Sequence, residues 1–425
     1  MALGWESRPL TWGVEFELIV MSLPPKSEEL DANNLATRIR HPERGVAEGC
    51  LKGTKRWNIL NVQEQIAETL RQNGIKAITN MDRTCDMRDR NLTVSENAWL
   101  VHTDATISMN HTEETLRQMA EDGASWYGIE LISPPMYYSE DAINYLRKVC
   151  YIMSSNYRTI VNQTCGFHVH IGDGVSGFSV DILKKLMGFL WTFETKLAKL
   201  HPEYRRENLQ CPSLCHITHE NRSHPWVKHV QTRRDGLERI FQMTTVNQMV
   251  GLLTDSFYRS AYDIRNLEIE EFFQCCRTNR TIEFRIHEGV DLSDSEEIIH
   301  WLRVCHGLVI FAQKEPLEDM KEYLQVMVEW ADIDEAIQAS EDADVMAGGL
   351  NGEVIHILMK LGLKPEALYY AKRFNMRLQG KSGLAENGAS SPGNVLDESK
   401  IFARLDMDLK NAGDKEETMT SKYVE

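Results

Sequence analysis

Three separated stretches of this 425-residue chain share one alternating pattern, apolar on one side and ionisable on the other. In Thr11–Val20 the even positions are Trp12, Val14, Phe16, Leu18 and Val20, while Glu15 and Glu17 fall on the odd side. In residues 166–172, Phe167, Val169 and Ile171 alternate with His168 and His170. In residues 280–287, Ile282, Phe284 and Ile286 alternate with Glu283, Arg285 and His287. Successive side chains of a strand point to opposite faces, so residues i and i+2 project together. The pattern therefore predicts a half-buried antiparallel sheet. A face that merely meets water usually draws on Thr, Lys, Ser and Gln. This one carries acids, imidazoles and an arginine, the side chains of metal ligands and an anion clamp.

The formal charge of −16, with no basic run, argues against non-specific nucleic-acid binding and against an anionic membrane surface. A bound polyanion such as a nucleotide would need metal ions to mediate it. The N-terminus lacks the apolar core of a signal peptide, and no apolar stretch is long enough to span a bilayer. Nine cysteines, scattered and odd in number, do not form a disulfide framework, so a cytosolic location is expected. A hydrophobic content of 42% suffices for a sizeable core.

Around the three strands the chain reads as α+β. An irregular loop over 24–56 precedes a helix over Asn58–Asn73 ended by Gly74. Two further strands are expected over Trp99–Met109, with Asp104, and over Trp126–Ser133, with Glu130. Ser139 and Ser179 cap the next helices, and another runs over Glu296–Gln313. Residues 201–243 are rich in His, Arg and Asn and read as an insertion. Short helices are expected over Asp332–Ala339, Glu353–Leu361 and Pro365–Phe374. The expected organisation is a catalytic domain over 1–330, a helical extension over 331–374 and a disordered tail over 375–425.

Three rival signals are weaker. Gly172–Gly177 fits G-x-G-x-x-G after a strand, but Glu194, at the distance of a ribose-binding acid, lies inside an amphipathic helix, so a glycine-rich turn is the better reading. Cys211, Cys215, His216 and His219 lack the second clean pair of a zinc motif. Cys165 near His168 reads as a buried thiol rather than a nucleophile.

Carboxylates suit Mg²⁺, which takes oxygen ligands and bridges substrate phosphates, whereas imidazole with carboxylate would also suit zinc. Arg280 and Arg285 beside Glu283 favour something anionic, because a guanidinium clamps phosphate in bidentate fashion. Metal ions and arginines around phosphate point to phosphoryl transfer.

These residues resemble the amidoligase family, a branch of the carboxylate-amine ligases related to glutamine synthetase and glutamate-cysteine ligase. The likeness rests on G-x-E-x-E at Gly13–Glu17, an acid before S-P at Glu130–Pro134, G-x-H-V-H at Gly166–His170 and T-x-E-F-R at Thr281–Arg285. It implies a curved antiparallel sheet of glutamine-synthetase-like type with helices on one face. It also implies ATP and Mg²⁺, with Glu17 and Glu130 on one metal and Glu15, His168 and Glu283 on another. His170, Arg280 and Arg285 would meet the ATP phosphates, and Asp104 would assist amine recognition. The implied reaction joins a small-molecule or peptide carboxylate to an amine through an acyl phosphate. The alternatives are an inactive nucleotide- or metal-binding protein on the same fold, or a zinc-dependent hydrolase using His168, His170 and a glutamate.

Overall fold

In the computed structural model, residues 10–23, 39–40, 55–79, 97–104, 106–108, 125–174, 177–220, 230, 232–255, 258–268, 280–338 and 350–383 are described. The strands among them are β1 (Thr11–Leu23), β2 (Ile39–Arg40), β3 (Ala77–Thr79), β4 (Trp99–His102), β5 (Ser125–Ile132), β6 (Met136–Tyr137), β7 (Thr159–Ile160), β8 (Phe167–Gly172), β9 (Tyr262–Asp263) and β10 (Thr281–Phe284). They form one sheet in the order β3-β4-β5-β1-β8-β10-β9, with β2, β6 and β7 also pairing with β1. The sheet is mostly antiparallel; β1–β2 and β3–β4 are parallel pairs.

Alternation explains the sheet's two faces. Trp12, Val14, Phe16, Leu18 and Val20 are buried, and Phe16 stacks between Phe167 and Trp99 at ring-centroid distances of 5.0 and 6.4 Å. Each such side chain contributes about 1.5–3 kcal/mol when fully buried. The odd side of β1 changes character along its length: Glu15 and Glu17 give way to Ile19, which joins Ile107 and Cys165 in a small second core. That core carries β1 three residues past the expected end at Val20. Beyond β4 the expected strand stops, because Asp104 Oδ1 accepts hydrogen bonds from Thr106 N at 2.5 Å and Thr106 Oγ1 at 2.7 Å. Such local side-chain bonds compete with a sheet ladder.

Four helices brace this sheet: α1 (Lys55–Gln72), α2 (Glu140–Asn156), α3 (Val180–Leu197) and α4 (Ser295–Lys314). Ser139, Ser179 and Asp294 cap the last three, each side chain accepting from a backbone N–H three residues on, worth about 1 kcal/mol apiece. α1 packs on β3, β4 and β5, α4 on β8 and α3, and α2 touches both α1 and α4. No described helix is long and apolar enough to cross a membrane.

Residues 201–243 are less peripheral than their composition suggests. Their described parts form the helices Glu203–Arg206, Leu214–Glu220 and Arg233–Gln242, and Leu214, Ile217, Leu237 and Ile240 are buried. The boundary expected near residue 330 falls inside a continuous helix, Leu317–Gln338. Met320, Leu324 and Val328 bury its apolar stripe, a four-residue spacing diluted in the sequence by the charged residues between them. The chain divides into two compact units, Met1–Val345 and Met346–Glu425; the second contains the helices Leu350–Lys360 and Lys364–Gly383. The tail expected from 375 begins instead as helix, which continues to Gly383; the rest of it and most of the loop read over 24–56 lie outside the described residues.

Candidate active site

Strand register assembles the site. Glu17 faces Glu130 across β1–β5, and Glu15 faces His168 across β1–β8. His170 faces Glu283 across β8–β10, and Glu283 faces Asp263 across β9–β10. Every one of these residues comes from the ionisable side of its strand, so five strands present a continuous acidic and imidazole row. The row lies at a cavity of about 460 Å³ whose floor includes Glu15, Asp104, Glu130 and His168 and whose wall includes Arg259, Arg265 and Arg285.

Two sets of ligand atoms converge, each set within 4.8 Å: Glu17 with Asp104 and Glu130, and Glu15 with His170 and Glu283. The two differ in what already neutralises them. Glu283 is fully buried; one of its oxygens accepts from Arg285 Nη1 and the other from Arg259 Nη1 at 3.0 Å. Glu15 lies 3.1 Å from His170 Nε2 and 3.2 Å from His168 Nδ1. Among the described residues no lysine or arginine lies within ion-pair distance of Glu17, Asp104 or Glu130. Glu17 Oε2 accepts a hydrogen bond from Gly166 N at 2.5 Å, and its closest cationic group is His168 Nε2 at 3.7 Å.

The electrostatic consequences follow this division. Burial raises the Glu130 carboxyl, and the charges of Glu15, Asp104, Glu17 and Glu283 push it further, to about 9. Burial also raises Glu17 above the ordinary carboxylate range, against the pull of His168 and Arg285. Glu15 behaves oppositely: burial would raise it, but His170 and His168 outweigh burial and hold it well below the usual value. For Glu283, burial is likewise outweighed, here by Arg285 and His170, and the carboxyl is lowered. The Glu17–Asp104–Glu130 set is thus a concentration of carboxylate that no described lysine or arginine pairs directly, with His168, Arg285 and Arg205 offsetting only part of the burial cost at Glu17.

Of the residues singled out in the sequence, Glu15, Glu17, Asp104, Glu130, His168, His170, Glu283 and Arg285 come together here. Both histidines reach the second set: Nδ1 of His168, a residue 1% exposed, lies 3.2 Å from Glu15 and 3.7 Å from Glu283, and His170 Nε2 lies 3.1 and 3.9 Å from the same two carboxylates. Asp104 joins the acidic set rather than standing apart from it. Arg280 directly precedes β10, packs against Gly177 and is not among the residues lining the cavity; its neighbour Thr281 lies 3.0 Å from His170 Nδ1 through Oγ1.

The weaker motifs remain separate. Cys165 is buried with its thiol 3.6 Å from Asn162 Oδ1, and burial pushes it up to about 12. Cys211 is buried with its thiol on the Arg205 carbonyl, while His216 is exposed; the side chain of His219 lies outside the described residues. Gly174 and Gly177 take φ of 61° and 68°, as a turn requires. Glu194 accepts from Leu214 N and Cys215 N at a helix start.

The alternation missed Arg259, Asp263 and Arg265, because β9 is only two residues long. The i, i+2 spacing of Asp263 and Arg265 was the available signal. Leu209 and Gln210, from the segment read as an insertion, also line the cavity.

Residues 8–309 match the model of a family described as "Putative amidoligase enzyme". The chain belongs to the amidoligase family. All four motifs and both ligand sets lie within the matched span. No curated protein matches the chain. A crystal structure of a bifunctional glutathione synthetase from Pasteurella multocida is similar at 12% identity and a TM-score of 0.35, over 87% of this chain and 47% of that one. The chain therefore spans about half the length of that structure.

Proposed function

We propose that this member of the amidoligase family is an ATP- and Mg²⁺-dependent carboxylate-amine ligase on a glutamine-synthetase-like sheet, forming an amide or isopeptide bond through an acyl phosphate. The observation that carries the reading is the all-oxygen set Glu17–Asp104–Glu130, with no described lysine or arginine within ion-pair distance, at a cavity lined by Arg259, Arg265 and Arg285. Carboxylate oxygens without sulfur or imidazole fit Mg²⁺ better than zinc. The crowding that drives Glu130 to about 9 is the condition a divalent cation relieves. Glu15, His170 and Glu283 form the second set, which shares Glu283 with two arginines.

Bound there, Mg²⁺ would neutralise phosphate charge and hold the nucleotide's terminal phosphates. The chain's own residues supply the rest. Arg285, fixed by Glu283, presents a permanent positive charge toward the phosphoryl group, and Arg259, on the other oxygen of the same carboxylate, and Arg265 add theirs at the cavity lining. The reaction itself is two displacements. A carboxylate oxygen attacks the γ-phosphorus, forming an acyl phosphate and releasing ADP. The amine nitrogen then attacks the acyl carbon, phosphate leaves, and the nitrogen gives up a proton. A free carboxylate is a poor acceptor for an amine at neutral pH, so activation is what makes the second step accessible. Positioning of both substrates accounts for much of the remainder.

Incubating the full chain with ATP, Mg²⁺, pooled amino acids and polyamines, with hydroxylamine added, tests this. The expected outcome is acid-dependent release of ADP and phosphate in equal amounts and trapping of a hydroxamate. AMP with pyrophosphate would instead mean adenylation, and chemistry that persists without ATP would mean a hydrolase.

A further inference from the structure

Arg205 stands on the short helix Glu203–Arg206, in the segment read as an insertion, yet it is 1% exposed. Its Nη2 donates to the carbonyl of Arg285 at 2.8 Å and its Nε to that of Ile286 at 3.2 Å. Its Nη1 is buried without a hydrogen-bond partner. Among the described residues no carboxylate lies within ion-pair distance of it. Burying a guanidinium without a carboxylate is costly, and an apolar side chain of similar volume would fill the space without that cost. Core filling therefore does not account for an arginine at this position.

What Arg205 grips does account for it. Arg285 N donates to Ala261 O at 2.8 Å, so one side of the Arg285 backbone is fixed by the segment leading into β9. Its carbonyl, and the next one, point to Arg205 just after β10 ends at Phe284. A guanidinium has several N–H donors in a rigid plane and can hold both carbonyls at once; a lysine ammonium is a compact point charge without that fork. Gly166 makes room, since a Cβ there would lie 2.6 Å from Arg205 Nη2 and 2.5 Å from His168 Nε2. The same segment is tied to the site twice more: Tyr204 Oη donates to Glu288 Oε2 at 2.7 Å, and Leu209 and Gln210 line the cavity.

We propose that Arg205 is a positioning residue, whose fork on the Arg285 and Ile286 carbonyls fixes where β10 leaves the sheet and so sets the Arg285 guanidinium against Glu283 and His168 at the cavity wall. Its geometric part stands on the contacts above. Its consequence for ligand binding rests on the reading of the cavity as a nucleotide site.

Two measurements on the full chain decide it. The first is the crystal structure of Arg205→Met, or of Arg205→Lys should the methionine variant fail to fold. Arg285 displaced from Glu283 and His168 supports the proposal, and Arg285 unmoved overturns it. The second is the affinity for the non-hydrolysable ATP analogue AMP-PNP with Mg²⁺, for wild type, Arg205→Met, Arg285→Met and the double variant. Arg205→Met is expected to weaken binding about tenfold, or ~1.4 kcal/mol, and Arg205→Lys less. The double variant should bind no more weakly than Arg285→Met alone, because the effect runs through Arg285. Additive losses, or a lowered melting temperature with unchanged affinity, would mark a purely structural role and overturn the proposal. If wild type binds no AMP-PNP, the nucleotide reading falls and the crystal structure alone still decides the placement of Arg285.

Discussion

Glu17 and Glu130 are direct register partners across the β1–β5 ladder, and Asp104 brings a third carboxylate into the same set. Like charges facing each other across a ladder are destabilising. The fold holds them together all the same, which gives the metal-free protein a measurable weakness.

That weakness has a pH signature. The Glu130 carboxyl is raised by burial and by its acidic neighbours from 4.5 to about 9 in the folded chain. Below pH about 4.5 the group is protonated folded or unfolded, and its contribution is fully present. As pH rises through 4.5 toward 9, the unfolded chain releases the proton while the folded chain retains it, so stability is lost across that window. Melting temperature measured in chelator should therefore fall from pH 6 to pH 9. In Glu130→Gln the fall should be shallower, with a melting temperature at pH 8.5 at least about 2 °C above wild type. Parallel pH profiles would show that Glu130 does not titrate in this window.

Magnesium should reverse the same penalty. A ligand that binds only the folded state adds about 2.7 kcal/mol at one hundred times its Kd, so wild-type melting temperature should climb with Mg²⁺ and saturate. Glu17→Gln should melt higher than wild type in chelator, because repulsion is relieved while the amide oxygen still accepts the hydrogen bond from Gly166 N. It should gain little from Mg²⁺ and show no turnover. A Glu17→Gln protein with wild-type activity and a wild-type Mg²⁺ response would remove Glu17 from the metal set.

The parts of this site legible in the sequence are those carried by regular strands. Period-2 alternation placed Glu15, Glu17, His168, His170, Glu283 and Arg285 on one side, and antiparallel pairing turned that shared side into shared space. What alternation does not encode is which residues lie across from which. It therefore left open that Asp104 converges with Glu17 and Glu130, and that His170 as well as His168 reaches Glu15 and Glu283. Arg259 and Arg205 were hidden for a different reason. Arg259 reaches Glu283 from irregular chain, and Arg205 reaches Arg285 across 80 residues of sequence. Neither contact leaves a local pattern. Composition also misled over 201–243, where polar residues outnumber a small set of well-buried ones.

Arg285→Lys should be nearly as damaging as Arg285→Ala. The guanidinium hydrogen-bonds Glu283 and lies 3.4 Å from His168 Nδ1 through the same nitrogen, Nη1, and the side chain lines the cavity. A lysine keeps the charge but not the planar fork. In the hydroxamate assay both variants should lose at least about a hundredfold in rate, or ~2.7 kcal/mol of transition-state stabilisation. Recovery of most of the rate by lysine would reduce Arg285 to a counter-charge for Glu283.

Two motif glycines that look alike in sequence should respond differently to alanine. Both precede ionisable strand residues, Gly13 before Glu15 and Gly166 before His168. A Cβ on Gly13 would meet Ser133 Oγ at 3.4 Å and the Pro134 carbonyl at 4.0 Å, which is ordinary contact. A Cβ on Gly166 would come within 2.5 Å of His168 Nε2 and 2.6 Å of Arg205 Nη2, distances that force both side chains to move. Those side chains are buried and packed against Glu17 and Arg285, so the strain passes into the site rather than into solvent. Gly166→Ala should therefore lose about 1–3 kcal/mol of stability through overpacking and, at a temperature well below its melting point, most of its activity. Gly13→Ala should stay close to wild type in both. Melting curves and hydroxamate rates on the pair provide the check: equal effects at the two positions would mean that the close packing of Gly166 against His168 and Arg205 has no part in the chemistry.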